Sequence, residues 1–377
     1  MELAAYRDTF PITQRYAFLD HATGAPLGNH VTRAIQAHIE RALAAPPSQV
    51  RDALAETAER IKQRAAALIH AARADEIAIV PNAVIGLNTA ANSLPLQPGT
   101  TVLVLDGEDP AHVYPWMNLA ARGILVKRIA QSDGGLDLEQ LDRWIDSRTR
   151  VLALSSALPA TGFRHDLAAL GAAARQRGLF FVVDASQTLG AFPVDVQAYQ
   201  IDFLVADAGR WLLGIPGAAL LYCRHDLLDR LQPGAYVGAT STLPPINVRD
   251  YGFTLHTSSE RFTIGESGDL AIAGLAAALE MILEIGEAPI AERILDLTDI
   301  LIGDLRERGH TLRTHAAPRH RSGIIVLEHP TPQAAYDRLL AAGIVATRRP
   351  SGLCFAPHFY NSEEDVLRVG SALSKRR

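Results

Sequence analysis

The sequence contains little lysine and little cysteine. Of its 36 basic residues only Lys62, Lys127 and Lys375 are lysines, so a reaction that needs a lysine amine has three candidates. The two cysteines, Cys223 and Cys354, are too far apart for a CxxC pair. So small a number of cysteines is typical of a reducing compartment, and we therefore expect a cytoplasmic protein.

Signals for membranes, export and nucleic acids are also missing. No apolar run reaches the roughly 20 residues that span a bilayer, and residues 1–8 lack a basic-then-apolar signal pattern. The net charge of −5 and the pI near 6.2 do not provide the basic excess of a nucleic-acid-binding domain. With 377 residues, 48% of them hydrophobic, the chain can bury a large core. We expect a small-molecule substrate and neither a membrane nor a nucleic-acid partner.

Short motifs for common sites are absent as well. The sequence has no GxGxxG, GxxxxGK[ST], HExxH or GxSxG. His310, His315 and His320 recur every five residues. That step turns about 140° on a helix and alternates faces on a strand, so we expect no metal site there.

Apolar segments alternate with helical periodicity through the first 260 residues or so. Near-continuous apolar strands predict a mostly parallel sheet that is covered on both faces. The expected strands are 76–80, 101–106, 124–126, 151–154, 179–184, 203–206 and 217–222, the last two forming a hairpin. Helices and short strands after residue 265 predict a smaller α+β unit. We expect a large α/β domain over residues 16–262 and a small C-terminal domain over 263–377, joined by 1–15.

Five segments in the same order resemble one known family. They are 18–24 (FLDHATG), 108–116 (EDPAHVYPW), 184–196 (DASQTLGAFPVDV), 261–265 (RFTIG) and 357–365 (PHFYNSEED). Over roughly residues 16–370 the chain is similar to the class V aminotransferases, pyridoxal-phosphate (PLP) enzymes that include cysteine desulfurases and isopenicillin-N-epimerase-like proteins. The resemblance implies the PLP-transferase fold-type I, α/β, with a mostly parallel large-domain sheet and a smaller C-terminal α+β domain. It also implies a homodimer.

The same resemblance assigns the family's Schiff-base lysine to the position of Arg210. A guanidinium stays protonated at any protein pH, so Arg210 cannot form an imine with PLP. None of the three lysines falls at a family cofactor position. Other positions at which the family's cofactor or substrate contacts are replaced are Asn82, Ala83, Val84, Pro110, Asp207, Gly209, Glu266 and Cys354. On these grounds we expect no cofactor.

Two cofactor contacts are kept. In the family, the residue at Asp184 pairs with the pyridine nitrogen, and the residue at Gln187 contacts the phenolic oxygen, so both would hold PLP if it binds. Asp184 could instead form a bidentate pair with Arg210 in the space of the lost cofactor.

The replaced residues also form a candidate acid–base site. The candidate catalytic residues are Asp109, His112, Asp184, Asp207, Arg210 and Glu266. Carboxylates, an imidazole and a guanidinium in one cleft can move protons and stabilise an oxyanion. His112 is the candidate base, because the pKa of a free imidazole lies near neutrality. Its alternative is a partly exposed loop histidine without a role.

Three functions remain open from the sequence. The first is a PLP-independent lyase, hydrolase or condensing enzyme of small-molecule metabolism. The second is a non-catalytic scaffold of the family. The third is a PLP enzyme, a lyase or transferase of an amino acid, that holds its cofactor non-covalently.

Overall fold

A computed structural model describes residues 3–136, 138–231, 236–244, 249, 253–265 and 267–374. Its α-helices are α1 (Asn29–Ala44), α2 (Pro47–Leu68), α3 (Ala83–Ser93), α4 (Pro110–Met117), α5 (Leu138–Trp144), α6 (Leu167–Gln176), α7 (Asp269–Ile285), α8 (Glu287–Glu307), α9 (Pro332–Ala341) and α10 (Glu363–Leu373). Its strands are β1 (Ala17–Phe18), β2 (Ile77–Val80), β3 (Thr101–Leu105), β4 (Leu125–Ile129), β5 (Thr149–Ser155), β6 (Phe180–Asp184), β7 (Phe203–Asp207), β8 (Ala219–Cys223), β9 (Ile325–Glu328), β10 (Ile344–Val345), β11 (Thr347–Arg349) and β12 (Gly352–Phe355). None of the described helices is long and apolar enough to cross a membrane.

A seven-stranded sheet forms the centre of the fold, in the order β2-β8-β7-β6-β5-β3-β4. The pairs from β7 to β4 are parallel, whereas β8 runs antiparallel to both β2 and β7. The mostly parallel sheet predicted from the apolar strands is therefore confirmed, and so is the hairpin that joins β7 to β8.

The central strands are apolar on both faces because both faces are covered. Val102 and Val104 belong to one buried cluster, and Leu103 and Leu105, which point to the opposite face, belong to another. Successive side chains of a strand alternate between faces, so helices on both sides of the sheet require an unbroken apolar run. This packing exposes only the strand ends to a ligand.

A smaller unit follows α7. Strands β11, β12 and β9 form a three-stranded antiparallel sheet, and β1 pairs in parallel with β10. Near the N-terminus, Arg7 donates to both carboxylate oxygens of Asp365 in α10, at 2.6 and 3.0 Å. These contacts bring both ends of the chain together. The domain boundary at residues 262/263 stays a prediction.

The close contact between Gly171 in α6 and the backbone of Tyr199 provides a test of the fold. A Cβ on Gly171 would come within 1.8 Å of the carbonyl oxygen of Tyr199, whereas a Cβ on Gly303 in α8 would meet nothing within 4 Å. We expect Gly171→Ala to lower the free energy of unfolding by about 1–3 kcal/mol through overpacking. The matched Gly303→Ala should raise it by up to about 1 kcal/mol through helix propensity. Urea unfolding of both variants checks this, and equal stability of the two would contradict the packing.

Candidate active site

Three neighbouring parallel strands end at the same edge of the large sheet. Ser155 ends β5 and lies opposite Asp184, which ends β6, while Asp207 ends β7. Open α/β sheets bind ligands in the crevice outside the carboxyl ends of their strands. These polar strand ends therefore mark the candidate site.

Asp184 and Gln187 are both buried at this edge. Oδ1 of Asp184 accepts a hydrogen bond from the backbone N of Ser186 at 2.9 Å, and its Oδ2 accepts none from the described part of the chain. Gln187 Oε1 accepts from Trp211 Nε1 at 3.0 Å, and Gln187 Nε2 donates to the carbonyl of Ala22 at 3.1 Å. Both groups of the Gln187 amide are thus fixed, whereas Asp184 keeps one oxygen for a donor on a ligand.

The Asp207 carboxylate lies at the start of α3. Its Oδ1 accepts a hydrogen bond from the backbone N of Ala83, the first residue of that helix, at 2.9 Å. Burial raises the pKa of Asp207; the Ala83 N–H and Arg210 oppose this rise, and the charges of Asp184 and Asp109 add to it. The N-terminus of a helix carries partial positive charge, so a carboxylate is stabilised there.

Arg210 does not make the predicted pair with Asp184. Its Nη1 donates to the carbonyl of Ala22 at 3.0 Å, and its Nε lies 3.8 Å from Asp207 Oδ2. The prediction of a bidentate Asp184–Arg210 pair is therefore wrong. Asp184 is held by the backbone of its own turn, and the Ala22 carbonyl directs the guanidinium towards Asp207 instead.

His112 lies in α4 and has no exposed surface. Both of its ring nitrogens are buried without a hydrogen-bond partner among the described residues. The alternative of a partly exposed loop histidine is therefore wrong, because α4 packs the ring inside the protein. Its role as a base stays a prediction.

Glu108, next to His112, is a buried acid that sequence reasoning did not select as a site residue. Its Oε1 accepts from the backbone N of Ser155 at 2.7 Å, and the hydroxyl of Ser155 donates to Oε2. Burial raises the pKa of Glu108. The charge of His112 and the hydrogen bonds from Ser155 oppose this rise, whereas the charge of Asp184 adds to it. A signal was available, since Glu108 opens the family-like segment 108–116 after an apolar strand.

Two candidates from the sequence, Asp109 and Glu266, remain. Asp109 caps α4, with its Oδ1 accepting from the backbone N of Ala111 at 2.8 Å, and its charge reaches Asp207. Glu266 lies outside the described residues. The charges of Asp184, Arg210 and Asp109 act on Asp207, and those of His112 and Asp184 act on Glu108. These residues thus lie around the crevice at the strand ends, the candidate active-site cleft.

A second arginine that sequence reasoning missed lies beside this cleft. Arg349, in β11, places Nη2 at 3.6 Å from the sulfur of the buried Cys354. Burial raises the pKa of Asp20, and its hydroxyl partners and the charges of Arg349 and Arg210 oppose this rise. The sequence contained no signal for Arg349, because a residue's place in a strand does not show which groups its side chain reaches.

Comparisons with known proteins agree on a family. The model of the aminotransferase class-V family matches residues 17–357. An uncharacterized aminotransferase, YcbU of Bacillus subtilis (strain 168), is 28% identical over 96% of this chain and 94% of its own. A cysteine desulfurase of Klebsiella pneumoniae (strain 342) is 32% identical over 98% of this chain and 97% of its own.

A solved structure shares the fold of this chain. A lysine-to-alanine variant of C-DES, with glycine covalently linked to its PLP cofactor, superposes with a TM-score of 0.90 at 22% identity, covering 97% of this chain and 98% of C-DES. The expectation of no cofactor is contradicted by the family-model match and by the cysteine desulfurase relatives, which point to PLP. The predicted fold-type I is confirmed. With its family-model match and these full-length similarities, this chain belongs to the class V aminotransferase family.

Proposed function

We propose that this protein is a class V enzyme that binds PLP without a covalent link to the protein and acts on an amino acid or a related primary amine. The observation that carries the proposal is the free Oδ2 of Asp184, beside a Gln187 amide that is held on both sides. A carboxylate of this kind suits a protonated ring nitrogen. Arg210, at the position that the resemblance assigns to lysine, cannot supply an imine.

The residues of the cleft fit PLP unevenly. Asp184 and Gln187 fit its ring, and the N-terminus of α3 together with Arg210 offers positive charge for its phosphate. Asp207 opposes a phosphate, since its carboxylate accepts the Ala83 N–H that an anion would use. The raised pKa of Asp207 lowers the cost of neutralising it when an anion arrives. The lysine-to-alanine C-DES variant supports the proposal, because it keeps PLP on this fold.

Each residue of the cleft has a task in this proposal. PLP, when bound, supplies an electron sink for reactions at the carbon next to an amine. Asp184 holds the proton at the ring nitrogen, and Arg210 binds an anionic group. His112, whose ring nitrogens have no partner in the described residues, holds or moves a proton once a ligand reaches it.

We further propose a cytoplasmic homodimer with a cleft shared between subunits. Three apolar side chains on α3 and α4, Val84, Tyr114 and Met117, are exposed near the cleft and would suit a subunit interface. The two cysteines are buried and unpaired, as suits a reducing compartment.

Binding and attachment of PLP test the main proposal. We expect PLP to bind the wild-type protein and to remain non-covalent after borohydride reduction. In R210K the new amine should form an imine, so reduction should attach the cofactor at residue 210, as peptide mass spectrometry can show. A wild-type adduct at Lys62, Lys127 or Lys375 would contradict the proposed mode of binding. No PLP binding at all would overturn the proposed function and favour a non-catalytic scaffold.

Asp184→Asn tests the contact to the ring nitrogen in the same titration, with Asp195→Asn as its control. It keeps the shape of the side chain and removes the charge that holds a ring proton, so PLP affinity should fall by about tenfold or more. Asp195→Asn, on a turn outside the cleft, should leave the affinity unchanged. Equal affinity in the Asp184 variant would show that PLP does not use this carboxylate.

Charge at position 207 gives a prediction with a pH dependence. Asp207→Asn can keep the hydrogen bond from Ala83 and removes the negative charge near the phosphate. We expect PLP affinity to rise by about tenfold at pH 8, since nearby like charges cost on the order of 1 kcal/mol or more. Because a raised pKa leads wild-type Asp207 to take up a proton as pH falls, the ratio of the two affinities should shrink towards acid pH. A constant ratio over that range would show that Asp207 does not govern phosphate binding.

A further inference from the structure

A cavity lies apart from the candidate active site. It has a volume of about 240 Å³ and lies between the start of α6, the turn at 192–194 and the short helix Pro318–His320. None of the candidate active-site residues lines it. We propose that this cavity, the Arg164 cavity (Arg164, Phe192, Tyr199 and Arg319), binds a small organic carboxylate; the proposal does not rest on the proposed function.

Arg164 is a half-buried cation that forms no ion pair within the described residues, and the charge of Asp166 acts on it only from beyond ion-pair distance. Its Nε donates to the carbonyl of Arg321 at 2.9 Å, and its guanidinium carbon lies 4.7 Å from the centre of the Phe192 ring. Its Nη1 and Nη2 make no hydrogen bond to the described residues, and no carboxylate among them forms an ion pair with it. Burying a charge without a partner is costly. A ligand anion would supply the missing partner.

Arg319 adds a second positive charge at the mouth of the Arg164 cavity. Arg319 is exposed, and its Nε donates to Nε2 of His320 at 3.0 Å, which leaves its terminal nitrogens for a ligand. Asp166 is the carboxylate among the described lining residues, and its Oδ1 is engaged by the backbone N of Ala169 at 3.0 Å. The cavity therefore has two guanidinium groups and one carboxylate that already caps a helix.

The walls decide which anion fits. A guanidinium offers paired N–H donors that match the two oxygens of a carboxylate or phosphate. Leu167, Phe192, Pro193 and Val194 give the Arg164 cavity an apolar side. An inorganic anion would leave these walls without contact, whereas an organic acid would cover them with its hydrocarbon body.

Calorimetric titration of the full-length protein with benzoate tests this inference. Benzyl alcohol is the neutral control, and inorganic phosphate is the control for an anion without an apolar body. We expect benzoate to bind, both controls to bind more weakly, and R164Q to lower benzoate affinity by about tenfold, in line with the loss of charged hydrogen bonds. R319Q should lower it by about threefold, and R210Q should leave it unchanged.

Several outcomes would overturn the proposal. They are no binding of benzoate, equal binding of benzyl alcohol or phosphate, unchanged affinity in R164Q, and loss of binding in R210Q, which would place the ligand in the active-site cleft. Circular dichroism and thermal unfolding check that R164Q is folded. If R164Q does not fold, R319Q decides, since unchanged benzoate affinity in that variant contradicts a site at this cavity.

Discussion

The carboxylate of Asp207 connects the parts of the candidate active site. It accepts the first backbone N–H of α3, and it lies beside the guanidinium of Arg210, while its own backbone N donates to the hydroxyl of Ser186. The side chain of Asp207 thus joins the end of β7 to a helix N-terminus, and its backbone N–H joins the same strand end to the turn after β6. A change of charge at this position would alter the helix start, the arginine and the neighbouring Asp184 together.

The position of Arg210 is equally constrained. The carbonyl of Ala22 accepts hydrogen bonds from both Arg210 and Gln187, so the segment after β1 fixes a guanidinium and an amide with one oxygen. The contacts with Ala22 and Asp207 use two different nitrogens of the guanidinium. A lysine at this position would have only one nitrogen, so it could not make both contacts in the same way. The arginine is therefore held within the cleft, where its charge already faces Asp207 at 3.8 Å.

Sequence reasoning predicted the sheet well because burial on both faces leaves a direct record, an unbroken apolar strand. It also located Asp184 and Asp207 correctly, since each ends such a strand. Sequence reasoning failed where a side chain can reach more than one partner. Arg210 could reach either carboxylate, and only the position of the Ala22 carbonyl, which is far away in sequence, decides for Asp207. The burial of His112 and the reach of Arg349 depend in the same way on tertiary packing that no local pattern records.

The charges in the cleft determine which charges a ligand can bring to its two ends. Glu108, Asp184 and Asp207 lie close enough for their charges to interact, and burial raises the pKa of both Glu108 and Asp207. An added phosphate would increase this negative charge, whereas a protonated ring nitrogen at Asp184 would reduce it. The cleft therefore favours a ligand that brings a cation and an anion together, with the cation at Asp184 and the anion towards Arg210. A purely anionic ligand would have to neutralise Asp207 first, because Arg210 alone cannot balance two negative groups.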